Sequence, residues 1–194
     1  MESFSALILT GGKSSSMGRD KASLPFRNSS LLERAMDALS FCDDLLLSVA
    51  HPEDYPEAEI PHITDRYPGC GPMAGICRGL EEAKNDWLFV LACDMPFFQP
   101  DLIFSLMEKA EQHDPSLPFD AILPLSQNGR MEPLCALYHK RLQPIMEQCL
   151  VQGQYGLQKI LKQHQILCVD MEQLNLESSA FANINTKADY EEIL

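Results

Sequence analysis

The chain has 194 residues, 45% of them apolar, enough for one domain spanning 1–194 with a sizeable core. A formal net charge of −13 and a pI near 4.7 argue against a nucleic-acid partner, because such binding draws on clustered Lys and Arg; an anionic ligand must be met by a few local cations or a bound metal. No apolar run approaches the ~20 residues of a membrane span, and the start Met1-Glu2-Ser3-Phe4 lacks a signal peptide's basic region, so a soluble cytoplasmic protein with no membrane partner is expected.

The first predicted element is a buried strand, Ala6 to Leu9, which empties into a loop at Gly11-Gly12. Glycines allow positive φ and close approach of backbone N–H groups to a ligand. Lys13, Arg19 and Lys21 cluster here, with the hydroxyls of Ser14, Ser15 and Ser16 and only Asp20 opposing them. That donor set suits a polyphosphate as well as a solvated Gly/Ser turn. The spacing is neither a Walker A loop nor Gly-x-Gly-x-x-Gly.

Ser30 is placed to cap a helix through Leu31, Leu32, Ala35, Met36 and Leu39, and Leu45 to Val49 follows as a second strand. Residues 51–61 carry three prolines and four acids and read as irregular surface chain. His62 to Thr64 reads as a short strand ending at Asp65. Pro72 sits near the first position of a helix over 73–84. Trp87 to Cys93 is the clearest buried strand, closed by Asp94-Met95-Pro96, with a helix from Pro100-Asp101 to about Gln112 after it.

Ala121–Leu125 and Pro133–Tyr138 flank the turn dipeptide Asn128-Gly129 and read as a hairpin or a strand pair with a longer loop. Helical patterns follow at 141–151 and 156–163, then strands at 166–170 and 181–184, and a terminal helix behind a Thr186-x-x-Asp189 capping box. Strands alternating with helices predict an α/β fold with a mostly parallel sheet and some antiparallel pairing, whose ligands bind outside the carboxyl ends of the strands. The Gly11-Gly12 loop, Asp65 and Asp94 all fall at such ends.

Seven cysteines without Cys-x-x-Cys or zinc-ligand spacing read as reduced core thiols. The five histidines show no i, i+4 pairing and read as structural or surface residues. By residue type alone, Asp94 suits a Mg2+ anchor or an Asx turn, and Asp65 a ligand contact or a cap. Asn183 and Asn185 suit substrate binding or a helix cap.

The stretch Leu9-Thr-Gly-Gly-Lys-Ser-Ser-Ser-Met-Gly-Arg-Asp-Lys-Ala-Ser-Leu24 resembles the Leu-Ala-Gly-Gly-x-Ser-x-Arg-Met-Gly-x-Asp-Lys-x-x-Leu signature of Rossmann-like nucleotidyltransferases, and most resembles that of the molybdenum cofactor guanylyltransferases. Further blocks agree in order: Asp65 with Gly71-Pro-Met-Ala-Gly75, Cys93-Asp-Met-Pro-Phe97, Arg130 to Tyr138, and Asn183-Ile-Asn-Thr186. Thr10 stands where Ala is usual, Ser16 where the family has Arg, and Lys187 where it has Pro.

The resemblance implies a single-domain, three-layer α/β/α fold and transfer of GMP from GTP to molybdenum-molybdopterin, with Mg2+ as cofactor. Leu9, Thr10, Gly11, Gly12, Lys21, Asp65 and Asp94 would form the nucleotide site. Lys21 and Asp94 would be catalytic, and Asp94 the metal ligand. It also implies contact with other cofactor-biosynthesis or molybdoenzyme-maturation proteins. Transfer of CMP to the same cofactor, or of a nucleotide to a sugar or alditol phosphate, stays open, as does a weakly catalytic nucleotide-binding accessory role suggested by Ser16.

Overall fold

In the computed structural model, residues 3–11, 20–113, 118–174, 178–184 and 186–192 are described. Among the described residues nine strands form, in chain order β1 (Phe4–Leu9), β2 (Pro25–Phe26), β3 (Ser29–Ser30), β4 (Leu45–Val49), β5 (His62–Thr64), β6 (Trp87–Ala92), β7 (Ala121–Leu125), β8 (Cys135–His139) and β9 (Ile166–Asp170). The helices are α1 (Leu31–Leu39), α2 (Pro72–Glu82), α3 (Asp101–Glu111), α4 (Gln143–Val151), α5 (Leu157–Leu161) and α6 (Lys187–Glu192).

Seven strands make one sheet in the order β5-β4-β1-β6-β8-β7-β9. β1 lies at its heart, parallel to both β4 and β6, which explains why residues 5–9 are buried whichever face they point to. β8 alone runs against its neighbours, antiparallel to β6 and to β7. The apolar side chains of the sheet divide between two cores. Leu32, Ala35 and Leu39 of α1 pack with Leu102, Ile103 and Leu106 of α3 on one face. Met73, Ile76 and Leu80 of α2 pack with Met146 of α4 and Ile160 of α5 on the other. The expected three-layer arrangement is therefore present.

Local chemistry sets the element ends. Ser30 Oγ accepts from Glu33 N at 3.1 Å while Ser30 N donates to Glu33 Oε2 at 2.6 Å, a reciprocal box that starts α1. Gly71, at φ +74°, turns the chain into α2, whose first residue is Pro72. Thr186 and Asp189 form the same kind of box before α6, at 2.8 and 3.1 Å.

Two features differ from expectation. Residues 181–184 do not form a strand: Ser178–Phe181 is a 3-10 turn, and the N–H of Ile184 donates to the carbonyl of Asp94 at 3.0 Å rather than joining a ladder. The hairpin β2–β3 was not anticipated. Its tip residue Arg27 takes φ +57°, and Phe26 packs with Leu24, Leu31 and Ile184 in a small separate cluster.

Candidate active site

β1 ends where its neighbours hold it from both sides. Leu9 O accepts from Cys93 N at 3.0 Å, and Thr10 N donates to Ser48 O at 3.3 Å. Thr10 Oγ1 donates to the same carbonyl at 2.8 Å, so the hydroxyl absent from the usual Ala latches β1 to the end of β4. Gly11 then takes φ +79°, a conformation only glycine adopts without strain, and leads the chain off the sheet. Gly12 and the residues to Arg19 lie outside the described residues, and with them Lys13 and Ser14 to Ser16.

The chain returns at Asp20, and Lys21 Nζ lies 3.3 Å from Asp94 Oδ2. Both side chains are mostly covered, at 16% and 22% exposure. Asp94 follows β6 by two residues, in a turn closed by Met95 N to Ala92 O at 3.3 Å and Phe98 N to Met95 O at 3.2 Å. Arg34 Nε donates to the Pro96 carbonyl, and Ile184 N fixes the Asp94 carbonyl. The carboxylate is thus held on a braced turn with its side chain toward the only cation paired with it among the described residues.

Asp65 follows β5, three strands from β6, so roughly 14 Å separates the two strand ends at ordinary strand spacing. Its Oδ1 is buried with no hydrogen-bond partner among the described residues, and burial pushes its carboxyl above the usual range. Gly75 of α2 brings the helix close: a Cβ there would sit 2.9 Å from Leu9 Cδ2, 2.9 Å from Ser48 Oγ and 3.4 Å from Asp65 Oδ1. Leu9, Ser48 and Asp65 therefore converge over one glycine. Arg66, beside Asp65, pairs with Glu81 of α2 at 2.7 Å and Glu147 of α4 at 3.7 Å.

The donor set decides what metal arrangement fits. No group of three or more His, Cys, Asp or Glu able to hold a metal occurs among the described residues. A single carboxylate, Asp94, fits Mg2+ bound through one protein ligand with substrate phosphates and waters completing the octahedron; it does not fit an all-protein cage.

The family model described as the MobA-like NTP transferase domain matches residues 6–167. The chain belongs to this family.

MobA-like relatives span its whole length. A protein of Carboxydothermus hydrogenoformans named "Probable molybdenum cofactor guanylyltransferase" is 34% identical, over 100% of this chain and 96% of its own. One of the same name from Clostridium perfringens strain 13 is 35% identical over 98% and 96%. The crystal structure of molybdopterin-guanine dinucleotide biosynthesis protein A from Archaeoglobus fulgidus superposes with a TM-score of 0.83 at 24% identity, over 97% and 96% of the two chains. The 2-C-methyl-D-erythritol 4-phosphate cytidylyltransferase of Thermus thermophilus, at 19% identity and a TM-score of 0.70, shares the fold, covering 100% of this chain and 97% of its own. This MobA-like chain is a nucleotidyltransferase.

The fold of this MobA-like chain places Leu9, Thr10, Gly11, Lys21, Asp65 and Asp94 along one edge of the sheet. Asn183 lies there too, because its neighbour Ile184 is bonded to Asp94; its Oδ1 is buried without a partner among the described residues. Capping of α6 falls to Thr186 and Asp189, so Asn183 is not that cap. Farther along the same edge, at the carboxyl ends of β7 and β9, a cleft of about 590 Å3 is lined among the described residues by Ser126, Gln127, Gly129, Asp170, Met171 and Glu172. Burial raises the Glu132 carboxyl above its usual range on the flank of this loop, against the opposing pull of Ser126 and Arg130.

Sequence reasoning missed Ser48 and met Gly75 only as the last residue of the Gly71–Gly75 block. Ser48 carried a signal, as the one hydroxyl in an otherwise apolar strand. Gly75 had none beyond the family block. The described histidines take no part in this cluster; His62 Nε2, on β5, is buried without a partner among the described residues.

Proposed function

We propose that the chain transfers GMP from GTP to the terminal phosphate of molybdenum-molybdopterin, forming the guanine dinucleotide cofactor and pyrophosphate. The observation that carries this reading is the 3.3 Å pair of Lys21 and Asp94 beside the Gly11 turn, one cation and one carboxylate converging at strand ends in an acidic chain. An acceptor phosphate oxygen forms the new bond to the α-phosphorus of GTP, and the bond from that phosphorus to the bridging oxygen breaks, its electron pair leaving with pyrophosphate. Such transfers ask for positioning and charge neutralisation rather than covalent help.

Lys21 neutralises charge on the phosphates, and Leu9, Thr10, Gly11 and Gly12 present backbone groups to the nucleotide. The buried Oδ1 of Asp65, which has no hydrogen-bond partner among the described residues, accepts a hydrogen bond from the nucleoside. Asp94 would hold Mg2+, which when bound supplies Lewis-acid neutralisation of phosphate charge. The cleft between the 126–129 turn and Asp170–Glu172 is the place for the acceptor, on the same edge. The reaction belongs in the cytoplasm, in keeping with seven cysteines that all stand free, and its product passes to molybdoenzyme-maturation proteins.

Molybdopterin-dependent pyrophosphate release, measured with GTP and with CTP, tests the reading. GTP turnover at least about tenfold faster, a difference of about 1.4 kcal/mol, is expected. Preference for CTP, or turnover only with a sugar or alditol phosphate acceptor, overturns it.

A further inference from the structure

Tyr55 lies in the irregular crossing from β4 to β5, with its backbone at φ +55°, a conformation L side chains seldom adopt. Its hydroxyl donates to Asp20 Oδ2 at 2.8 Å, across 35 residues of sequence. That carboxylate also gathers the turn that follows it: Oδ2 accepts from Ser23 Oγ at 2.7 Å, and Oδ1 from Ala22 N at 3.2 Å. Leu24 N closes the same turn on Lys21 O at 3.0 Å. These short-range bonds shape the turn around Lys21 but do not by themselves place it against the sheet.

The Tyr55 phenol ties it there. On the α1 side, Leu32 N donates to the Ala22 carbonyl at 3.0 Å and holds the other end of the same turn. The crossing between β4 and β5 thus meets the residue before Lys21 at one phenol. Burial, followed by the bond to Asp20, raises the Tyr55 hydroxyl well above its ordinary range, so it remains a donor at any physiological pH.

We propose that Tyr55 is a positioning residue for Lys21, acting through Asp20 to hold the lysine ammonium opposite Asp94. The proposal rests on the reading of Lys21 and Asp94 as the nucleotide-binding pair, but the placement of Lys21 can be measured without any nucleotide. Tyr55→Phe removes the hydroxyl and keeps the ring packed against its neighbours.

The first measurement is the acylation rate of individual lysines in the full chain, read by mass spectrometry. Lys21 is 16% exposed and Lys84 77% exposed, so Lys84 serves as the internal control. Tyr55→Phe is expected to speed labelling of Lys21 about three- to tenfold, the net size of one solvent-exposed hydrogen bond, with Lys84 unchanged.

The second measurement is steady-state turnover. Tyr55→Phe and Asp20→Asn should each lower kcat about tenfold, with the KM for acceptor unchanged, and the double variant should be no slower than either single one. Unchanged labelling of Lys21 overturns the proposal, and so do fully multiplicative losses in the double variant. Faster labelling in a wild-type protein background that shows no GTP turnover would sustain the positioning role while refuting the proposed reaction.

Discussion

Asp65→Asn should make the ligand-free protein more stable and the nucleotide-bound protein less so. The carboxylate oxygen Oδ1 is buried without a partner among the described residues, and an unpaired buried acceptor costs about 1–3 kcal/mol, more when fully buried and charged. Asp65 as a whole is only half-buried, so solvent screening reduces the figure to about 1 kcal/mol. For a chain of this length that corresponds to a rise in Tm of about 2–4 °C in the isosteric amide.

The pH dependence has a definite sign. Burial raises the folded-state carboxyl above its ordinary 3.8, so the folded protein holds the proton more tightly than the unfolded chain. The wild type therefore loses stability as pH rises through the raised folded value. The advantage of Asn is present at neutral pH and fades as the pH falls toward 3.8. Thermal melts at pH 7.5 and pH 4.5, with and without Mg2+ and GTP, measure all of this. A tenfold loss of affinity removes up to about 1.4 kcal/mol of ligand-induced stabilisation, so the order of the two proteins should reverse on adding nucleotide. An amide variant that melts at or below the wild type without ligand, or shows the same shift with it, refutes the reasoning.

Lys21→Ala and Asp94→Ala should each reduce kcat at least about a hundredfold, with Tm within a few degrees of wild type, since a partly exposed pair adds little to stability; steady-state assays with near-wild-type rates would remove the assigned roles. Gly79→Ala would place a Cβ 2.6 Å from Leu7 Cδ2 and 3.0 Å from Leu88 Cδ2, both wholly buried, and should lower Tm by about 2–6 °C without changing the KM for GTP. Gly75→Ala, whose Cβ meets Leu9, Ser48 and Asp65, should raise that KM as well, and kinetics showing the reverse pattern would contradict the site geometry. Asp44→Ala should cost about 2–3 kcal/mol in chemical denaturation, because the 6% exposed carboxylate accepts from Lys84 N at 2.9 Å and pairs with Lys84 Nζ at 3.2 Å. Burial opposes the charge on Asp44, but the Lys84 N–H, the Ser5 hydroxyl and the Lys84 ammonium outweigh it and hold the carboxyl below 3.8. Its stabilisation is complete above that value and disappears as pH falls through the lowered one, so the gap between variant and wild type should close in acid.

Central strands and amphipathic helices were legible because their signals are local. The unbroken apolar runs at 6–9 and 87–92 and the Ser30–Glu33 box needed no tertiary information. The β2–β3 hairpin was not legible, since Arg27-Asn28 lacks the glycine that usually marks so tight a turn. Residues 181–184 had a strand's composition, yet the N–H of Ile184 found a carbonyl 90 residues away at Asp94.

The candidate site divides in the same way. Thr10, Gly11, Lys21, Asp65 and Asp94 follow from motif blocks placed at strand ends. Ser48 and Gly75 matter only because α2 crosses β1 and β4 at close range, and Tyr55 only because a chain excursion returns beside Asp20. No periodicity encodes such meetings.

Because β8 runs against its neighbours, it begins rather than ends at the working edge, and the chain passes from β7 to β8 by a short turn at Gly129 instead of a crossover helix. Within the sheet, the β6–β8 ladder alone stitches the first four strands to the last three. Insertions in that turn can therefore reshape the outlying cleft while leaving the register of β5, β4, β1 and β6 untouched.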